Sequence, residues 1–176
     1  MRSKPTAKKP ELKGGLMPLS KIRTLVKKAK SKGLTVVTTN GCFDILHLGH
    51  IRYLSWAKRQ GDLLIVGVNS DASVRRLKGP KRPLNAARER AELVAALKPV
   101  DAVFIFNETT PTIWLKVLKP HLHVKGADRA MREIIEKRVV EQGGGRILLA
   151  PYIKDRSTTT IVKKTASASR DMELRC

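Results

Sequence analysis

The stretch Val36-Val37-Thr38-Thr39-Asn40-Gly41-Cys42-Phe43-Asp44-Ile45-Leu46-His47-Leu48-Gly49-His50 constrains this chain more than any other. It begins as an apolar, β-branched run, the pattern of a strand. Asn40-Gly41 is a turn dipeptide, and residues 51–59 are amphipathic and read as a helix. A strand, a tight turn and a helix start together form a cradle for phosphate. Unpaired backbone N–H groups and the positive helix end converge there on one anion. Positions three apart share one face of a helical turn, so His47 and His50 are set side by side above the cradle. Gly49 has no Cβ and lets a ligand approach the backbone. A single histidine at this place would read as structural. The pair, with its glycine and the strand before it, reads as two hydrogen-bond donors to phosphate oxygens that gain charge in a transition state. A covalent phosphohistidine is the chemical alternative, but paired donors need no extra assumption.

The remaining chain alternates strands with helices. Ser20 is placed to cap a helix with Ile22, Leu25, Val26 and Ala29 on one face, and Gly33 ends it. The first strand is expected over 34–39. Leu63-Leu64-Ile65-Val66-Gly67-Val68 is apolar throughout, as a strand buried on both faces is. Asn69-Ser70-Asp71 opens a short helix that ends near Lys78-Gly79. Asn85 caps another helix, with Leu93, Val94 and Leu97 turned inward. Further strands are expected over 102–106, 122–125 and 146–150. Further helices are expected from Thr110-Pro111 to about Leu118, over 132–142, and from Ser157 to about Lys164. The fold class is therefore α/β: a Rossmann-like, open, parallel, five-stranded sheet with helices on both faces. Ligands bind such sheets beyond the carboxyl ends of the strands, and the chemistry-bearing motifs of this chain all fall at such ends. The 176 residues suggest one domain, over 18–164. Residues 1–17, rich in Lys, Pro and Gly, read as a disordered basic leader or a start-site artefact, and 165–176 as a flexible tail.

Charge narrows the partners. Against 36 Lys and Arg stand 15 Asp and Glu, a formal net charge of +21. That excess favours anionic partners, either nucleic acid or small phosphorylated molecules. An aromatic content of 4% is too low for a single-strand binder built on stacking platforms. No apolar run is long enough to span a bilayer, and no apolar segment follows the basic start as in a signal peptide. Cys42 and Cys176 are too few and too far apart for a disulfide framework, so a reducing cytoplasm is expected.

Other candidates follow from position. Asp44 precedes the histidine pair by three residues. It fixes a histidine tautomer, touches a metal, or stabilises the turn as an Asx side chain. Cys42 has no base before it and reads as a small buried residue rather than a nucleophile. The loop Arg75-Arg76-Leu77-Lys78-Gly79-Pro80-Lys81-Arg82-Pro83 is dense in cations at the strand-end face. Lys78 is its best phosphate ligand, and Arg90 lies one turn into the next helix. Lys125-Gly126-Ala127-Asp128 ends the fourth strand. Gly126 there lets a flat base or sugar lie on the backbone, and Asp128 can accept from ribose hydroxyls. Ser157-Thr158-Thr159 offers a second anion site or plain helix capping. His121 and His123 lack companions at metal-ligand spacing and read as structural or exposed.

Thr39-Asn40-Gly41-Cys42-Phe43-Asp44-Ile45-Leu46-His47-Leu48-Gly49-His50 resembles the signature of the cytidylyltransferase-like nucleotidyltransferases, which carry an HxGH motif. The likeness continues through Val68-Asn69-Ser70-Asp71-Ala72-Ser73, Arg76-Leu77-Lys78-Gly79, Arg82-Pro83-Leu84-Asn85, Val124-Lys125-Gly126 and Ser157-Thr158-Thr159, and spans about 34–164. HxGH alone indicates the superfamily. The Arg-Leu-Lys-Gly and Arg-Pro-x-Asn loop with Val-Lys-Gly resembles the D-glycero-β-D-manno-heptose 1-phosphate adenylyltransferases of bacterial lipopolysaccharide-core synthesis.

That resemblance implies transfer of AMP from ATP to the sugar 1-phosphate by in-line attack on the α-phosphate. ADP-heptose and pyrophosphate are the products, with no covalent intermediate. It implies catalytic roles for His47, His50, Lys78 and Arg90. It places Asn40, Gly41, Cys42, Phe43, Gly49, Lys125, Gly126, Asp128, Tyr152, Ser157, Thr158 and Thr159 around the nucleotide, and Asp44, Asn69 and Asp71 near the sugar phosphate. Mg²⁺ would be carried mainly by the nucleotide phosphates, with no dedicated metal site. A homodimer is implied. Many relatives fuse this domain to a sugar kinase; 176 residues leave no room for one, so a separate kinase is expected. Related glycerol-phosphate cytidylyltransferases carry arginine where this chain has Tyr152, and an aromatic ring there favours ATP over CTP by stacking on a purine. The rival enzymes are another cytidylyltransferase and an FMN adenylyltransferase. A basic nucleic-acid-binding module is the rival from another class, and it leaves the histidine pair unexplained.

Overall fold

The computed structural model describes residues 14–127 and 134–151. Its centre is β3 (Leu63–Asn69), buried at every position. Alternate residues of a strand point to opposite faces, and β3 feeds two cores accordingly. Leu63 and Ile65 enter one core, while Leu64, Val66 and Val68 enter the other. Gly67 stands where a Cβ would lie 3.2 Å from the Phe104 ring and 3.3 Å from that of Phe106.

Around β3 lie β1 (Gly14–Leu16), β2 (Val36–Gly41), β4 (Ala102–Phe106), β5 (Leu122–Gly126) and β6 (Arg146–Ala150). All pairings are parallel, in the order β1-β4-β3-β2-β5-β6. Helices α1 (Leu19–Ser31), α5 (Thr112–Leu118) and α6 (Lys137–Gln142) cover one face through Ile22, Val26, Trp114, Leu115 and Val140. Helices α2 (Leu48–Lys58) and α4 (Ala87–Ala95) cover the other through Leu54, Ala57, Ala91 and Val94. The remaining helix, α3 (Asp71–Lys78), follows β3 directly, capped by the Ser70 hydroxyl accepting from Ser73 N–H at 3.2 Å. No helix among the described residues is long and apolar enough to cross a membrane.

The parallel α/β architecture is as expected, with corrections. Among the described residues the sheet has six strands, not five. β1 lies inside the stretch read as leader; three residues beside a Gly-Gly pair carry no periodicity, and they are held by β4 and by Met17 N–H to Val103 O at 2.9 Å. β2 starts two residues later than expected because Thr35 is held by Asp62, whose Oδ2 accepts from its N–H at 3.0 Å. Asn40 and Gly41 do not turn; they pair with Gly67 and Val68. Helix α1 begins after Pro18 rather than Ser20. Leu93 faces solvent while Val94 is buried. The helix expected over 132–142 spans Lys137–Gln142 among the described residues.

The chain steps from β2 through β3 to β4, then returns to the far side of β2 with β5 and β6. β2 and β5 flank this reversal, which is where doubly wound sheets open a ligand crevice. Their backbone pairing is limited to Val37 with Leu122 and Thr38 with His123. Beyond that, side chains bridge the strands. Thr39 Oγ1 donates to Val124 O at 3.0 Å, and Tyr53 Oη donates to the same oxygen at 2.9 Å.

Candidate active site

His47 has extended backbone and immediately precedes α2; His50 is the third residue of that helix. The helix starts earlier than its amphipathic pattern suggests, which puts both rings in its first turn. The rings stack with centroids 3.8 Å apart and planes 23° apart. Phe43 supports the stack from below, its ring centroid 5.1 Å from that of His50 in an edge-on arrangement. Phe43 is buried with φ +48, an uncommon conformation for a bulky residue. Gly41 makes room for it, since a Cβ there would lie 3.0 Å from the ring. Phe43 thus packs its buried ring against His50.

Burial, then the charge of His47, then that of Lys78, hold the His50 pKa at about 4. The ring is neutral at pH 7. Its Nδ1 is buried with no hydrogen bond among the described residues. As the Nε2–H tautomer it is a neutral donor, and bound phosphate would raise its affinity for a second proton. Lys78 ends α3, exposed before Gly79, and its charge acts on both His50 and Cys42. Burial raises the pKa of the Cys42 thiol, which keeps it protonated and unsuited to nucleophilic attack.

Arg90 is not a free phosphate ligand, contrary to expectation. Its side chain is fully buried. Nε donates to Asn85 O at 2.9 Å, Nη1 to Cys42 O, and Nη2 to Asn69 O and Asp71 Oδ1, both at 2.8 Å. It clamps the carboxyl ends of β2 and β3 together from beneath the site. Asp44 and Asn69 are corrected likewise. Asp44 is 2% exposed. It accepts from Arg82 Nη1 at 2.7 Å and from the N–H groups of Leu84 and Asn85 at 2.7 and 3.2 Å. Asn85 Nδ2 returns a bond to Asp44 O at 2.6 Å. Asn85 therefore fastens the Arg-Pro-Leu-Asn loop and does not cap α4. Burial disfavours the Asp44 carboxylate, but its bonds from Arg82, Asn85 and Leu84 outweigh that and hold its pKa below the ordinary value. Asn69 is buried and donates to Ser73 Oγ at 2.9 Å. Asp71 remains partly exposed while bonded to Arg90.

At the crevice, Lys125 Nζ lies 3.2 Å from Asn40 Oδ1 and 2.7 Å from Glu136 Oε1. Glu136 was not legible as a site residue, because it belongs to no motif and lies eleven residues from its partner. Gly126 ends β5 beside this pair, and Gly49 lies in the first turn of α2. His121 and His123 are structural: Nδ1 of His121 accepts from Val36 N–H at 2.9 Å, and Nδ1 of His123 meets Thr38 Oγ1 at 2.9 Å. Asp128, Tyr152, Ser157, Thr158 and Thr159 lie outside the described residues.

Asp44, Asp71 and Glu136 are carboxylates near the strand ends, and each is bonded to a cation. None is arranged with the others as a cage for a divalent ion, and no group of three or more His, Cys, Asp or Glu able to hold a metal occurs among the described residues.

Comparison with known proteins agrees with this architecture. The family model described as cytidylyltransferase-like matches residues 38–164. The chain is 46% identical over 160 residues to "Bifunctional protein HldE" of Geotalea uraniireducens, covering 91% of this chain and 33% of that protein. It is 51% identical over 142 residues to the HldE protein of Trichlorobacter lovleyi, covering 81% of this chain and 29% of that one. The chain thus spans about a third of the length of these curated relatives. Among solved structures, the lipopolysaccharide core biosynthesis protein of Thermoplasma volcanium aligns with a TM-score of 0.59 and 31% identity, over 70% of this chain and all of that one. A pantoate-beta-alanine ligase from Francisella tularensis aligns with a TM-score of 0.57 at 14% identity, over 82% of this chain and 69% of that one, a likeness of fold alone. With the histidine pair at the head of α2 and this match over most of its length, the chain belongs to the cytidylyltransferase-like family and is a nucleotidyltransferase.

Proposed function

We propose that this domain transfers AMP from ATP to D-glycero-β-D-manno-heptose 1-phosphate, giving ADP-heptose and pyrophosphate. The observation that carries the reading is the stacked pair of His47 and His50 in the first turn of α2, with Lys78 close enough to act on His50. The Arg-Leu-Lys-Gly and Arg-Pro-Leu-Asn segments support the heptose branch, as do the identity to the HldE proteins and the name of the Thermoplasma relative.

The substrate is ATP with magnesium on its phosphates. An oxygen of the sugar phosphate attacks the α-phosphorus, the bond to the bridging oxygen breaks opposite it, and the electron pair leaves on pyrophosphate. The protein's part is to position and to stabilise charge. His47 and His50 donate to phosphate oxygens, the neutral His50 through its Nε2–H. Lys78 brings a positive charge to the departing phosphates. Arg90 and Asp44 act beneath the site, fixing the strand ends and the Arg82–Asn85 loop. Lys125 and Gly126 face the nucleotide at the crevice, and Asp71 is the acidic group left to meet the sugar. The same reading includes a cytoplasmic homodimer, whose test is molar mass in solution.

The deciding measurement is pyrophosphate release from ATP and CTP, each paired with heptose 1-phosphate, glycerol 3-phosphate and FMN. Turnover confined to ATP with heptose 1-phosphate is expected. Preference for CTP with glycerol 3-phosphate, or for FMN, would replace this assignment with the corresponding rival.

A further inference from the structure

Lys125 forms an ion pair with Glu136, a residue that the catalytic scheme leaves unused. It sits where β2 and β5 have ceased to share backbone hydrogen bonds. Their side chains are 13% and 7% exposed. Glu136 is fixed from both sides: Ile134 and Val140 are buried in one core, and Glu136 O accepts from Val140 N–H at 3.0 Å. An ammonium has three N–H donors. Asn40 and Glu136 take two of the three on Lys125 Nζ. Among the described residues no acceptor takes the third.

We propose that Glu136 is a positioning residue, which with Asn40 holds the Lys125 ammonium at the β2/β5 crevice so that its third hydrogen meets the nucleotide. The proposal rests on the reading of Lys125 as a nucleotide contact. A lysine free to rotate must be ordered by its ligand, at a cost of roughly 10-fold to 30-fold in affinity. A lysine already held loses none of that when ATP binds, the general advantage of a supported binding group. The carboxylate also has an opposing effect, because it places negative charge near an anionic ligand. Two conservative variants separate these effects. Glu136→Gln keeps the reach of the acceptor and loses the charge. Glu136→Asp keeps the charge and withdraws the acceptor by one methylene from a 2.7 Å contact.

The test measures KM for ATP and kcat, together with binding of a non-hydrolysable ATP analogue, for Lys125→Met, Glu136→Gln and Glu136→Asp, each checked for folding by thermal unfolding. Lys125→Met should weaken analogue binding at least about tenfold. Glu136→Asp should raise KM for ATP about tenfold with kcat within about threefold, while Glu136→Gln stays within about threefold of wild type in both. Wild-type affinity in Lys125→Met would remove the underlying reading of Lys125. Weak binding in Lys125→Met with unaltered KM in Glu136→Asp, or with Gln worse than Asp, would overturn the positioning role itself.

Discussion

His50 gives the structure a sharp consequence for stability against acid. In the unfolded chain its imidazole takes up a proton as pH falls through its ordinary value of 6.5, whereas in the fold it resists until about 4. The unfolded state therefore binds more protons across that window, and stability falls with acidity there and levels off below it. The full difference corresponds to about 3 kcal/mol at about 1.36 kcal/mol per unit. Between about pH 7 and about pH 4.5 the loss amounts to about 2 kcal/mol. His121 and His123 are shifted in the same direction, and the depressed Asp44 also loses stability on acidification, so the wild-type curve alone is steeper. The comparison with His50→Gln removes those shared contributions. Urea unfolding of both proteins at the two pH values should show the variant gaining on wild type by about 2 kcal/mol as pH falls. Curves that stay parallel to within about 0.5 kcal/mol would refute the argument that burial and the neighbouring charges suppress His50 protonation. An NMR titration supplies the direct check, with the His50 ring expected to titrate at about 4 and to move upward when an ATP analogue is bound.

Other consequences concern turnover and packing. His47→Ala and His50→Ala should each lower kcat ~100–1000-fold, the usual effect of removing one transition-state donor, with circular dichroism unchanged; a tenfold or smaller loss at both would count against the donor role. Lys78→Ala should raise KM for ATP or lower kcat with no change in melting temperature, because the side chain is exposed at the end of α3. Arg90→Met should act on stability first, since each buried carbonyl left without its donor costs about 1–3 kcal/mol; denaturant unfolding would show it, and a variant as stable as wild type with lost activity would return Arg90 to the phosphates. Gly61→Ala should destabilise by about 1–3 kcal/mol in the same unfolding assay, because its Cβ would lie 2.6 Å from Val37 Cγ2 and 2.8 Å from Thr35 O.

The parallel sheet was legible wherever a strand is buried on both faces. The run 63–68 is apolar at every position because β3 has a core on each side, and β4 carries the same signal. β1 was not, because three residues on the edge of a sheet have only one neighbour to satisfy. Asn40-Gly41 was misread for a definite reason. The dipeptide favours a turn in isolation, but the ladder with Gly67 and Val68 extends the strand through it and moves the bend to Phe43. The consequence for the site is that α2 begins at Leu48 and both histidines fall in its first turn.

Cations near a phosphate site divide into those that meet the ligand and those that shape the surface it meets. Sequence spacing does not separate them. Arg82, Arg90 and Lys78 all fall in or just after one basic stretch, yet Arg82 is spent on Asp44, Arg90 on the ends of β2 and β3, and only Lys78 among them is left exposed. The division follows from what lies beneath each. Two parallel strands that end side by side leave carbonyls with no further ladder partner, and buried carbonyls require donors. A guanidinium can satisfy several at once with one planar group, so α4 carries arginine at the point where it passes under those ends. Lysine, with a single compact charge on a flexible stem, suits the rim, where a ligand comes and goes. By the same logic Lys125, a lysine drawn largely out of solvent, is held by two side-chain acceptors, Asn40 Oδ1 and Glu136 Oε1, and that support is what Glu136 supplies at the crevice.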